Sequence, residues 1–143
     1  MLLTRVDFYV LDDSSPRARE HGACRLAEKA WLQHHRVFVH TGSRTAAQAL
    51  DELMWTFKQN SFLPHTIFPG ETDEAVNVLV GDGTPPENET DVLINLSDEV
   101  PQFYQQFERV AEFVDATDHA RAAGRKRFRE YRDRGCAIES HNV

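Results

Sequence analysis

Apolar and polar positions along the chain change their period several times, and each change marks an element. Residues 5–11 (Arg-Val-Asp-Phe-Tyr-Val-Leu) are rich in β-formers and read as a buried first strand. Residues 12–15 turn the chain, and Ser15 before Pro16 predicts a helix N-cap with proline at the first helical position. Ala23, Leu26, Ala27, Ala30 and Trp31 then recur at helical spacing to about position 34. Residues 36–40 form a short second strand, closed by Thr41-Gly42-Ser43, which offers a cap to a second helix. One face of that helix carries Ala46, Leu50, Leu53 and Phe57. Residues 58–69 read as a loop with an unusual apolar load, including Phe62, Leu63, Pro64, Ile67 and Phe68.

Residues 75–80 alternate around Val76, Val78 and Val80 and predict a third strand. Residues 81–90, with two glycines, two prolines and three acids, predict a mobile surface turn. Residues 91–96 are a near-continuous apolar strand, as expected in a parallel sheet covered on both faces. Residues 101–113 predict a third helix with Phe103, Phe107 and Val110 on one side, and Val114 adds a short extended piece. A last helix runs from about 117 to 134 and stops at Gly135, a favourable residue just past a helix end. The alternation of strands and helices predicts an α/β fold: a three-layer α/β/α arrangement, Rossmann-like, with a mostly parallel central sheet. Residues 1–143 are one domain's worth of chain, without repeats or linkers.

Cys24 and Cys136 stand far apart and suggest a reducing compartment, so the chain is expected in the cytoplasm. No apolar run nears the ~18 residues of a membrane span, and residues 1–10 do not resemble a signal peptide. The net charge of −7 argues against direct, tight binding of nucleic acid across the whole surface. The charge is uneven, however. Residues 121–134 hold seven arginines and lysines against Glu130 and Asp133, a local +5 that leaves −12 for the rest. Such asymmetry points to a localised anionic partner.

Catalytic motifs are missing. The first strand-to-helix turn reads Leu11-Asp12-Asp13-Ser14-Ser15-Pro16, without the glycines of a dinucleotide loop, and no Walker-type phosphate loop occurs. Asp12 and Asp13 fit a helix start better than a metal site, which would need a further carboxylate at a neighbouring strand end. His34 and His35 are consecutive and diverge on a helix, so neither zinc nor any other cofactor is expected. Cys24 reads as a small core residue.

Two faces do not fit a plain core. At ~100° per residue, Trp55 falls about 180° from Ala46 on the second helix, opposite the apolar stripe. Either the following loop, with Phe62 and Pro64, folds over this indole, or Trp55, Phe62 and Pro64 line an exposed pocket for a partner. On the last helix Arg121, Arg125, Arg129 and Arg132 form one stripe with Phe128 on its edge. The stripe is either a solvated basic face near a helix C-terminus or a cationic groove for an acidic peptide ending in aromatics. Arginine forks bind carboxylates bidentately, and capture of a C-terminal carboxylate is a recurring recognition mode.

The order of these features resembles the chi subunit family of bacterial DNA polymerase III. The matching pieces are residues 6–12 (Val-Asp-Phe-Tyr-Val-Leu-Asp), 27–31 (Ala-Glu-Lys-Ala-Trp), 50–55 (Leu-Asp-Glu-Leu-Met-Trp), 61–65 (Ser-Phe-Leu-Pro-His), 91–96 (Asp-Val-Leu-Ile-Asn-Leu) and 125–132 (Arg-Lys-Arg-Phe-Arg-Glu-Tyr-Arg). The resemblance spans nearly the whole chain. It implies a non-catalytic accessory subunit of the clamp-loader complex that pairs with the psi subunit and reaches the clamp loader through it. It also implies binding of the acidic, phenylalanine-ended tail of single-stranded DNA-binding protein. The implied tail pocket falls on Trp55, Phe62, Pro64, Val114, Arg125, Phe128 and Arg129. The family pattern admits Tyr and Lys at the positions of Phe128 and Arg129, so one hydroxyl is lost here and the charge is kept. The rival expectation is a nucleotide-acting enzyme related to a helicase lobe, suggested by the rhythm of residues 36–57 and 90–95 but lacking a phosphate loop.

Overall fold

The computed structural model describes residues 3–59, 62–70 and 76–143. Ser61 and Ala75, each part of a stretch discussed above, lie outside the described residues. In chain order the elements are β1 (Arg5–Val10), α1 (Ala18–Leu32), β2 (Val37–His40), α2 (Arg44–Thr56), β3 (His65–Phe68), β4 (Val78–Gly81), β5 (Val92–Asn95), β6 (Arg109–Val114), α3 (Asp118–Asp133) and β7 (Ala137–Asn142). A 3₁₀ turn over Tyr104–Gln106 precedes β6. Among the described residues the seven strands form a single sheet in the order β3-β4-β2-β5-β6-β1-β7, and every pairing is parallel.

The alternation within each strand assigns the two faces. Val37, Val39 and Ile94 point to one side and pack with Ala23, Ala27 and Leu50 of α1 and α2. Phe38, Leu93, Val6 and Phe8 point to the other and pack with Tyr104, Phe107 and Tyr131, beneath α3 and the 3₁₀ turn. The result is the expected α/β/α layering, with an all-parallel sheet. Strands covered on both faces carry branched apolar residues at nearly every position because neither parity meets water.

The structure moves several boundaries. Ser15 does not cap α1: its N–H donates to Asp13 Oδ1 at 2.8 Å, and the residue before the helix is Arg17, with φ of 66°. Ser43 caps α2 as expected, accepting from the Ala46 N–H at 3.1 Å. The stretch after α2 contains a strand, β3, which the apolar loop reading missed. The helix expected over residues 101–113 is not formed. Phe103, Phe107 and Val110 do lie on one side, but residues 109–114 slot between β5 and β1, where ladder hydrogen bonds replace helical ones. β7, polar along its exposed edge, was not expected. The acidic stretch before β5 is pinned rather than loose. Glu89 is buried and receives Arg36 Nη2 at 2.8 Å, while Gln106 Nε2 donates to the carbonyls of Pro86 and Glu89 at 2.7 and 2.8 Å.

Candidate functional site

The last helix owes its placement to a side chain that its own sequence hides. Glu112 sits at the centre of β6, fully buried on the α3 side of the sheet. Arg127 Nε donates to it at 2.8 Å, Tyr131 Oη at 2.7 Å and Asn95 Nδ2 at 2.8 Å. Burial pushes the Glu112 carboxyl above its usual range, against the pull of the Arg127 charge and of the three donors. Arg127 is therefore spent on the interior, and α3 is fixed in rotation. Four of its other basic side chains, Arg121, Arg125, Arg129 and Arg132, face a groove of about 420 Å³ whose other lining residues include Phe8, Val10, Val114, Phe128 and Ser140, while Lys126 lies beside Asp98 and Glu99 on another side of the helix.

The groove is closely built. Gly124 has no side chain because a Cβ there would stand 2.7 Å from Val114 Cγ2, so α3 can lie tight on β6. Phe128 is half-buried, with its ring centroid 5.4 Å from that of Phe8. Thr117 caps the helix by accepting from the Ala120 N–H at 3.2 Å. Arg125 and Arg129 are exposed, and among the described residues no carboxylate stands within ion-pair distance of Arg121, Arg125 or Arg129. Three uncommitted guanidinium groups over an apolar floor can take carboxylates and an aromatic ring together.

The seven expected pocket residues do not form one pocket. Val114, Arg125, Phe128 and Arg129 meet in the groove. Trp55 is on α2, which packs against β3 and β4 with α1, on the opposite face of the sheet. β3 and β6 are four strand spacings apart in the sheet order, about 19 Å. Trp55 is 59% exposed and Phe62 80% exposed. Phe62 does not fold over the indole; the ring that meets it is the buried His65, at 4.3 Å between centroids. His65 is held in turn by Leu63 O at 2.7 Å and Asp51 O at 3.0 Å. Pro64, half-buried, leads into β3. Trp55, Phe62 and Pro64 are thus a second apolar patch. Phe8, Val10, Gly124 and Ser140 belong to the groove but were invisible as site residues, because their pattern is that of ordinary strand, helix and edge positions.

Two other places bear on chemistry. A crevice of about 690 Å³ lies beyond the carboxyl ends of β2, β4 and β5. The chain leaves β2 toward α2 on one face and β5 toward the 3₁₀ turn on the other, so this is a switch point of the kind that holds nucleotides in parallel sheets. Its lining includes Asp82, Asp98 and Glu99 and no lysine or arginine, a field that repels phosphate. Asp7, Glu139 and His141 bring one ligand atom each within 4.8 Å of one another. Arg109 Nε at 2.8 Å and Arg5 Nη2 at 3.2 Å already occupy the Asp7 carboxylate, so the cluster is an ion-pair network that disfavours a cation. Asp12 and Asp13 are not part of it. Burial pushes the Cys24 thiol up to about 12, which leaves it inert as a nucleophile.

Comparison with known proteins follows the same line. The family described as DNA polymerase III chi subunit, HolC, matches residues 3–139. The DNA polymerase III subunit chi of Pseudomonas aeruginosa is 43% identical over 141 residues, 99% of this chain and 98% of the relative. The proteins of the same name from Haemophilus influenzae and Escherichia coli are each 28% identical, over 137 and 133 residues, covering 95% and 90% of both chains.

Proposed function

The chain belongs to the DNA polymerase III chi subunit family, and from that premise we propose a non-catalytic cytoplasmic accessory subunit that links the clamp loader to single-stranded DNA-binding protein. The α3 groove receives the acidic C-terminal tail of that protein. The observation that carries this reading is the conjunction of arginines that have no ion pair among the described residues with an apolar floor in one groove, on a chain that is otherwise strongly acidic. The tail's terminal phenylalanine packs on Val114 and Phe128, while Arg125 and Arg129 meet its carboxylates. Many such tails on one coated DNA strand make weak individual contacts effective through local concentration.

Pairing with the psi subunit falls to the other patch. Trp55 and Phe62 are large, exposed and apolar, as anchors of a protein interface are. The nucleotide-acting alternative is disfavoured by the acidic lining of the crevice at the strand ends.

The test is an anisotropy titration with a labelled acidic peptide ending in Asp-Phe-Pro-Phe. Saturable binding is expected, with Arg125→Ala weakening it about tenfold or more, the size of a lost charge-assisted contact. Trp55→Ala is expected to leave it unchanged. No saturation at millimolar chain, or an unaffected Arg125→Ala variant, removes the groove as the tail site.

A further inference from the structure

We propose that the acidic peptide binds partly as an eighth strand on the outer edge of β7, its last residues in the groove and the chain held by main-chain hydrogen bonds. This rests on the groove being the tail site and adds how the peptide backbone is held. β7 is the terminal strand of the sheet and pairs with β1 alone among the described residues. Just past it, the Val143 N–H donates to Val10 O at 3.0 Å and Val143 O accepts from the Asp12 N–H at 3.4 Å, so both polar groups of Val143 face inward. Inward and outward residues alternate along a strand whose ladder is on one side. Glu139 and His141 therefore share the inward orientation of Val143, and the N–H and C=O groups of Ile138, Ser140 and Asn142 point away from the sheet.

These outward residues also stand on the groove's side of the sheet. Ile138 packs into the core beneath α3, and Ser140 lines the groove itself. A peptide leaving the groove across Ser140 meets a row of free donors and acceptors spaced for an extended chain. Native edges are ordinarily blunted by proline, lysine or a bulge. The sequence Ala-Ile-Glu-Ser-His-Asn has no proline or lysine, and its register with β1 runs unbroken over six residues. Strand addition to such an edge is an established way to hold an extended peptide. Charge selects which peptide: Arg129 and Arg132 flank the groove, so an acidic segment is favoured.

The last residues, packed over Val114 and Phe128, lie inside the sheet edge, since an eighth strand would stand three strand spacings from β6. The residues that pair with β7 are therefore those upstream of them, and with a period of two every second one turns its N–H to the edge.

The experiment is a set of labelled acidic peptides ending in Asp-Phe-Pro-Phe, each N-methylated at one residue upstream of that end, titrated against the full chain. N-methylation at every second upstream residue is expected to weaken binding tenfold or more, and at the residues between them less than twofold. Amide exchange measured by NMR is expected to slow at Ile138, Ser140 and Asn142 when unmodified peptide is added. If all the methylated peptides bind alike and those amides exchange unchanged, the strand is wrong, while the groove stands provided Arg125→Ala still weakens the unmodified peptide. If the unmodified peptide does not bind, both readings fall.

Discussion

At Asp7 a single carboxylate gathers groups from three strands. Arg109 reaches it from β6 at 2.8 Å, His141 from β7 at 2.9 Å and Arg5 from β1 at 3.2 Å. Burial alone would raise this carboxyl, but the hydrogen bonds from His141, Arg109 and Arg5 and the charge of Arg109 outweigh it and hold it below 3.8. A depressed folded value contributes stability that is complete above the unfolded one and is lost as pH falls through the folded one. Urea midpoints of the wild type should therefore decline below about pH 4, and Asp7→Asn should flatten that acid limb; an unaltered limb in the variant would refute the assignment. Glu112 has the opposite sign. Its carboxyl is raised by burial, and removing the Arg127 charge raises it further. Arg127→Ala strands a buried charge at a cost of about 3–5 kcal/mol. That cost should shrink as pH is lowered from 7 toward 5, because the folded state then takes up the proton. Should that variant be too unstable to fold, Arg127→Met with Glu112→Leu, which leaves no charge behind, is expected to keep more of the wild-type stability by urea unfolding.

Element by element, α3 depends on a missing side chain. A methyl group at position 124 would meet Val114 Cγ2 at 2.7 Å, and a β-branched valine has little room to give. Gly124→Ala gains helix propensity of about 1 kcal/mol but overpacks the contact by about 1–3 kcal/mol. The expected outcome is a modestly lowered Tm together with weaker peptide binding, since the groove floor shifts with the helix. A variant bound as tightly as wild type would show that the close seating of α3 is irrelevant to the site. The same scale shows what the sequence could and could not disclose. α2 and α3 were readable because their caps, Ser43 and Thr117, and the turn at Gly135 (φ 83°) are local signals. β6 was not, because Phe103, Phe107 and Val110 share a side at helical spacing too, and Glu112 interrupts the apolar run 110–114 and is satisfied only by residues far away in sequence. β7 shows little apolar alternation because it is an edge with few residues to bury. Within the site, the arginine stripe with Phe128 followed from helical periodicity alone, whereas the separation of Trp55 from it depends on strand order, which no local pattern encodes.

For the molecule as a whole, the consequence of that strand order is two candidate recognition surfaces on opposite faces of one sheet. One is basic and narrow, the other apolar, and the remaining surface is acidic. Long-range attraction of an acidic peptide is then confined to α3, and repulsion elsewhere disfavours misplacement. Contacts of exposed arginines are screened over a Debye length of about 10 Å at 0.1 M salt. Peptide affinity should accordingly fall several-fold between 50 and 300 mM salt. The proposed psi pairing through Trp55 and Phe62, as an apolar contact, should change little over the same range. Because the two surfaces share no residue, loading the chain with psi should leave the peptide Kd within about twofold, since sites without shared partners act additively. The measurement is the same anisotropy titration repeated on the chain alone and on the chain saturated with psi, at both salt concentrations. Competition between psi and the peptide would mean that one of the two surfaces is misassigned. Unchanged affinity with the predicted split in salt dependence would mean that both partners can be held at once, as a link between two assemblies requires.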